Sequence, residues 1–189
     1  TEVNNANRTR SSVGAAGADS TAAVIFGGYA PSPGAAEGYT ELWNGTNWTE
    51  VNDLNTGRGD LDGAGTSTAG LAVGGYGGSP AAAVANVESW NGTNWTEVND
   101  LNTARNSATS TGTSTAALTT GGATASNQAL TETWNGSAWT EVADLNTARS
   151  DMGSAGTTTA ALGFGGGNPR TGNTEDWNGA SWSEVADLS

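Results

Sequence analysis

The chain has 189 residues, of which 35% are hydrophobic and 29 are Gly, and its formal net charge is −13. It contains no Cys, no His and, since all six basic residues are Arg, no Lys. Those absences exclude disulfides, Cys/His zinc sites, Ser-His and Cys-His nucleophile pairs, Schiff-base lysines and a P-loop lysine. The acidic balance disfavours nucleic acid and anionic membranes as partners. No apolar stretch approaches the roughly 18 residues of a spanning helix, so no membrane insertion is expected. The start at Thr1-Glu2-Val3, without Met, points to a removed leader or to a segment of a longer polypeptide.

One phrase recurs four times. Trp43-Asn-Gly-Thr-Asn-Trp48 is repeated as Trp90 to Trp95, Trp134 to Trp139 and Trp177 to Trp182, and the starts are 47, 44 and 43 residues apart. A period of this length is the mark of a repeat architecture. Aligned on Thr-Glu-Val, the units are 1–48, 49–95, 96–139 and 140–182, with 183–189 beginning a fifth or ending the last strand. The sequence therefore predicts a single domain, 1–189, built of modules.

Each unit carries the same landmarks in order. An Arg comes first (Arg10, Arg58, Arg105, Arg149), then a first strand with a central Gly, then an apolar strand such as Thr21–Phe26. A Gly pair follows (Gly27-Gly28, Gly74-Gly75, Gly121-Gly122, Gly165-Gly166), then a loop of variable length, then Glu-x-Trp and Trp-Thr-Glu-Val as two further strands. Short runs bounded by Gly read as strands, and no window has helical spacing. The expected class is all-β, with four strands per unit and a thin core of Trp, Val, Leu and Ala.

Asn44-Gly45 suggests a type I′ turn, which needs positive φ at both central residues. A two-residue turn sets Trp43 opposite Thr46, and a four-residue loop sets it opposite Trp48. Either register keeps the two Trp on one face, and a three-residue loop would split them.

The strand count, the Gly pair after the second strand, Glu-x-Trp on the third and Trp opening the fourth together resemble kelch repeats. The near-identical Gly-, Ala-, Thr- and Asn-rich copies are similar to the WNGTNWTEVNDLNTAR-type arrays of marine phage structural and tail proteins. That resemblance implies a β-propeller of four four-stranded antiparallel blades, or part of a larger one. It also implies a structural or adhesion role in a virion (tail, fibre or capsid-decorating) or on an extracellular surface, with virion or surface proteins or host glycans as partners and homo-oligomers allowed.

Repeated residues read first as structure. The eight Trp (Trp43, Trp48, Trp90, Trp95, Trp134, Trp139, Trp177, Trp182) would seal each sheet to its neighbour, although aromatic platforms for sugar rings are the competing reading. The repeated Arg either ring one end of a channel as an anion site or pair with Glu41, Glu88, Glu132 and Glu175. No catalytic constellation is visible, so a non-enzyme is expected. No cofactor is predicted, except that Asp60 and Asp62 offer oxygens suited to Ca²⁺. Function is sought in the variable loops 29–40, 76–87, 123–131 and 167–174, at Tyr29, Tyr39, Tyr76 and Arg170. A secreted glycan-binding protein with repeated sites between sheets is the alternative.

Overall fold

The computed structural model describes residues 3–31, 34–78, 80–167 and 169–188. Thr1 and Glu2 of the expected N-terminal remnant, Ser32 and Pro33, Ser79 and Asn168 of the variable loops, and Ser189 lie outside the described residues. No helix occurs among those described, so none is long and apolar enough to cross a membrane.

The fold is all-β, with five antiparallel sheets. Strands β1 (Gly14–Asp19), β2 (Ala22–Phe26), β3 (Thr40–Trp43) and β4 (Trp48–Val51) form the first sheet in chain order. After the short β5 (Arg58–Gly59) come β6 (Asp62–Thr66) and β7 (Ala69–Val73), then β8 (Tyr76–Gly77) and β9 (Ala82–Ala83), then β10 (Val87–Trp90) and β11 (Trp95–Glu97). Of these, β6, β7, β10 and β11 form the second sheet, and β5, β8 and β9 a small three-stranded sheet beside it. The third sheet is β12 (Thr109–Thr113), β13 (Ala116–Thr120), β14 (Thr131–Trp134) and β15 (Trp139–Glu141). The fourth is β16 (Gly153–Gly156), β17 (Ala161–Phe164), β18 (Thr174–Trp177) and β19 (Trp182–Val185). The first strands lie side by side, β1 against β6, β6 against β12 and β12 against β16.

Trp43 pairs directly with Trp48, and the other three hairpins have the same register. This selects the four-residue loop. The type I′ turn is overturned, because only Gly45 has positive φ (88°) and Asn44 does not. The Asn44 side-chain oxygen instead accepts the backbone N–H groups of Thr46 and Asn47 at 3.0 and 2.9 Å. An Asx turn of this kind closes the loop with one positive-φ residue, for which Gly is suited.

Each Trp pair is tilted, with ring centroids 5.1–5.3 Å apart. The pair of one sheet packs on the sheet before it. Trp90 and Trp95 cluster with Val24, Phe26 and Leu54, while Trp134 and Trp139 cluster with Leu71, Val73 and Leu101. Trp177 and Trp182 close over Leu118 and Leu145. Such aromatic pairs add about 0.5–1.5 kcal/mol beyond their burial. In the third sheet, part of the core is made of hydroxyls that satisfy one another, as in Ser110 with Thr119 at 2.9 Å and Thr120 with Thr131 at 2.8 Å.

Candidate functional site

Most of the repeated polar side chains are consumed inside the protein. Arg10, Arg58, Arg105 and Arg149 pair with Glu41, Glu88, Glu132 and Glu175 at 2.6–2.9 Å, and all eight side chains are at most 2% exposed. Arg58 also donates from Nε to Gly74 O at 2.8 Å and from Nη2 to Ala72 O at 3.2 Å. The second oxygen of Glu88 accepts Asn55 N at 2.7 Å and Asn55 Nδ2 at 2.8 Å, and Glu132 and Glu175 accept Asn102 and Asn146 in the same way. The reading of these Arg as an anion site at a channel mouth is therefore corrected. Their charge is spent against a buried carboxylate, out of reach of a dissolved anion.

The reading of the Trp as repeated sugar platforms between sheets is corrected as well. Seven of the eight Trp are 1–8% exposed, and only Trp48 is half-buried. A ring buried to that degree offers no face to a pyranose.

What remains free for recognition lies in the variable loops. A cleft of about 850 Å³ is lined by Tyr29, Asp60, Tyr76 and Asn106, with Ala35 and Ala81 among its small residues. Tyr29 and Tyr76 occupy the same place in successive units, directly after the Gly pair, and both are half-buried. The backbone of Tyr29 bridges Ser11 and Ala36, while Tyr76 belongs to β8 of the three-stranded sheet. The rim is thus held by backbone pairing that the sequence did not announce.

The Tyr29 hydroxyl reaches across to the next unit, 3.0 Å from Asp60 Oδ2 and 3.3 Å from Tyr76 O. Burial and this carboxylate raise the phenol above its ordinary pKa, so it stays protonated. Gly59 makes room for the ring, since a Cβ there would lie 2.3 Å from Tyr29 Cε2. Asp60 itself has a φ of 50°, a conformation shared by its counterparts Ser12, Ser107 and Asp151. Non-Gly residues in that region are uncommon, and Asp is among the types that tolerate it.

No protein-family model matches the chain, and no curated protein matches it. Among solved structures, one titled "Structure of YjhT" superposes with a TM-score of 0.81 at 12% identity, over 99% of this chain and 68% of that one. The two share a fold.

Of the four side chains expected to bind, the structure brings together Tyr29 and Tyr76. Tyr39 points elsewhere, with the Arg8 guanidinium stacked 3.6 Å above its ring. Arg170 is exposed on the fourth unit's loop and does not line the cleft. Asp60 and Asn106 are the residues that sequence reasoning missed as cleft components. Asn106 directly follows the repeat Arg105, and Asp60, two places after Arg58, aligns with Ser12, Ser107 and Asp151; those positions were the available signal.

Asp60 and Asp62 do not converge on a cation. Asp60 takes the Tyr29 hydroxyl, whereas Asp62 Oδ2 accepts Ser110 N at 2.7 Å and Thr109 Oγ1 at 3.3 Å. Among the described residues no group of three or more acidic side chains is arranged to hold a metal ion.

Proposed function

We propose that the four four-stranded sheets are blades of a kelch-like β-propeller, or an arc of one, and that the chain is a non-enzymatic structural and adhesion module. In this reading it belongs to a virion tail, fibre or capsid decoration, or to an extracellular surface, and presents its variable loops for attachment. The observation that carries the reading is the division of labour between residues. The repeated Arg and Glu side chains and seven of the eight Trp are internal, whereas the variable-loop residues Tyr29 and Tyr76, with Asp60 and Asn106 from the segments after the repeat Arg, line an open cleft. Side-by-side contact of the successive first strands supports the blade arrangement.

The test is binding of the purified chain to intact host cells, compared with a Tyr29→Ala/Tyr76→Ala variant of unchanged circular dichroism. Attachment that the double substitution abolishes supports the module. Attachment indifferent to it removes the cleft from the account.

A second reading, a glycan-binding protein, is favoured by the composition of the cleft. Two half-exposed Tyr rings beside a carboxylate and an amide suit the apolar faces and hydroxyls of a sugar. A glycan array separates the two readings. A single class of sugar bound at one site per chain would select the second.

A further inference from the structure

The first and fourth sheets have outer faces that are the two halves of the interface already seen three times inside the protein. On each of the first three sheets, one face receives the Trp pair of the sheet that follows. The receiving residues are Val24 and Leu54, then Leu71 and Leu101, then Leu118 and Leu145, and all are 0–5% exposed. The equivalents on the fourth sheet are Leu162 at 40% and Leu188 at 58%, with Val185 beside them at 44%. At the other end, Trp48 of the first sheet is half-buried, where Trp95, Trp139 and Trp182 are each 6% exposed.

Polar groups repeat the same complementarity. Trp95 Nε1 donates to Thr40 Oγ1 of the preceding sheet at 3.0 Å, and Trp182 Nε1 donates to Thr131 Oγ1 at 3.1 Å. The fourth sheet holds Thr174 in that position, and the first sheet offers the indole of Trp48. A backbone series also runs from sheet to sheet. Asp60 N donates to Ser12 O, Ser107 N to Asp60 O and Asp151 N to Ser107 O, at 2.8–3.1 Å. Its two ends are the Ser12 N–H and the Asp151 C=O.

We infer that the outer face of the fourth sheet binds the Trp43–Trp48 face of a second copy of this chain, so that copies associate head to tail. The interface is heterologous: the rotation per sheet decides whether a set of copies closes into a ring or runs on. Leu162, Val185 and Leu188 then become buried as their counterparts are, and Trp48 donates to Thr174 of the neighbouring copy. Residues 185–188 take the place on the Trp43–Trp48 hairpin that the chain's own Asn4 and Asn7 hold, so association displaces residues 3–7. The net charge of −13 on every copy opposes association, so added salt strengthens it.

Sedimentation velocity from low micromolar to submillimolar concentration tests this. The expected result is concentration-dependent association that increases with sodium chloride. Leu162→Glu and Trp48→Glu each abolish it alone, while an equimolar mixture of the two, each retaining one intact face, forms a heterodimer that grows no further. Leu188→Glu alters a side chain exposed in the single chain, so its fold stays intact and its association weakens at least tenfold. A monomer at every concentration overturns the inference. So does a mixture that stays monomeric, or association that survives Trp48→Glu while Leu162→Glu removes it, because fourth sheets would then pair with each other.

Discussion

Trp139 and Val87 meet in the core between the second and third sheets, and the indole N–H of Trp139 has no acceptor there. The equivalent indoles of Trp95 and Trp182 donate to Thr40 and Thr131. Val87 stands where those threonines stand, so the second unit leaves a buried donor unpaired. Val87→Thr supplies the missing oxygen at nearly the same volume and is expected to stabilise the fold by about 1 kcal/mol. The converse Thr40→Val strands Trp95 Nε1 and is expected to cost about 1–3 kcal/mol. Urea unfolding of the two variants beside the parent measures both signs.

The buried ion pairs predict large, one-sided effects. Arg58→Met leaves Glu88 charged in a dry site and is expected to cost about 3–5 kcal/mol. Removing Glu88 as well does not restore the parent, because Asn55 N and Nδ2 lose the oxygen they share. A double-mutant cycle followed by circular dichroism in urea reads the coupling.

Asp62 predicts a pH dependence with a defined sign. Burial raises its carboxyl from 3.8 to about 6. Between those values the folded chain binds more protons than the unfolded one, so this group's contribution to stability falls as pH rises from about 4 to 6 and is lost above it. Asp62→Asn keeps an acceptor for Ser110 N and has no charge to desolvate. It is expected to flatten stability over that interval and to raise it at pH 7 by about 2 kcal/mol. Thermal melts from pH 4 to 7.5 check this, and a parent curve that rises across the interval while the variant's does the same would refute it.

Gly59 predicts a way to disturb the cleft without touching the core. Gly59→Ala sets a methyl 2.3 Å from the Tyr29 ring, which must swing away from Asp60. The expected outcome is weakened attachment comparable to Tyr29→Ala, with a loss of stability of about 1 kcal/mol. Cell binding and a urea midpoint on the same sample separate the two effects.

The strands were legible because their signals are local. The Gly pairs, the apolar runs such as Thr21–Phe26 and the two-residue periodicity placed the Trp of each hairpin on one face. Arg58 with Glu88 was legible for another reason: two charges repeated at fixed places, in a chain with no other repeated cation, have each other as natural partners. The turn was misread because Asn-Gly serves two loop lengths, and the choice between them rests on side-chain hydrogen bonds from Asn44. The cleft was only half legible. Tyr29 and Tyr39 lie in one variable loop, yet Tyr39 ends beside Arg8, and nothing local distinguishes them. The partner of Tyr29 is Asp60, 31 positions away, and only the contact of successive units brings it near.

The recurrence of the sheet-to-sheet contact also bears on how such a gene changes. Asn52 grips Thr93 O and Asn94 Oδ1 of the following hairpin at 3.0 and 2.8 Å, just as Asn4 grips Thr46 O and Asn47 Oδ1 at 2.9 and 2.6 Å. An unequal exchange that adds or removes one whole unit recreates such bonds where the unit before the new junction carries Asn, as at Asn52 and Asn99, and not where it carries Ala143. The number of such Asn-bearing units can change without a compensating substitution, while the post-Gly-pair loops, which differ in length from unit to unit, take no part in the junction.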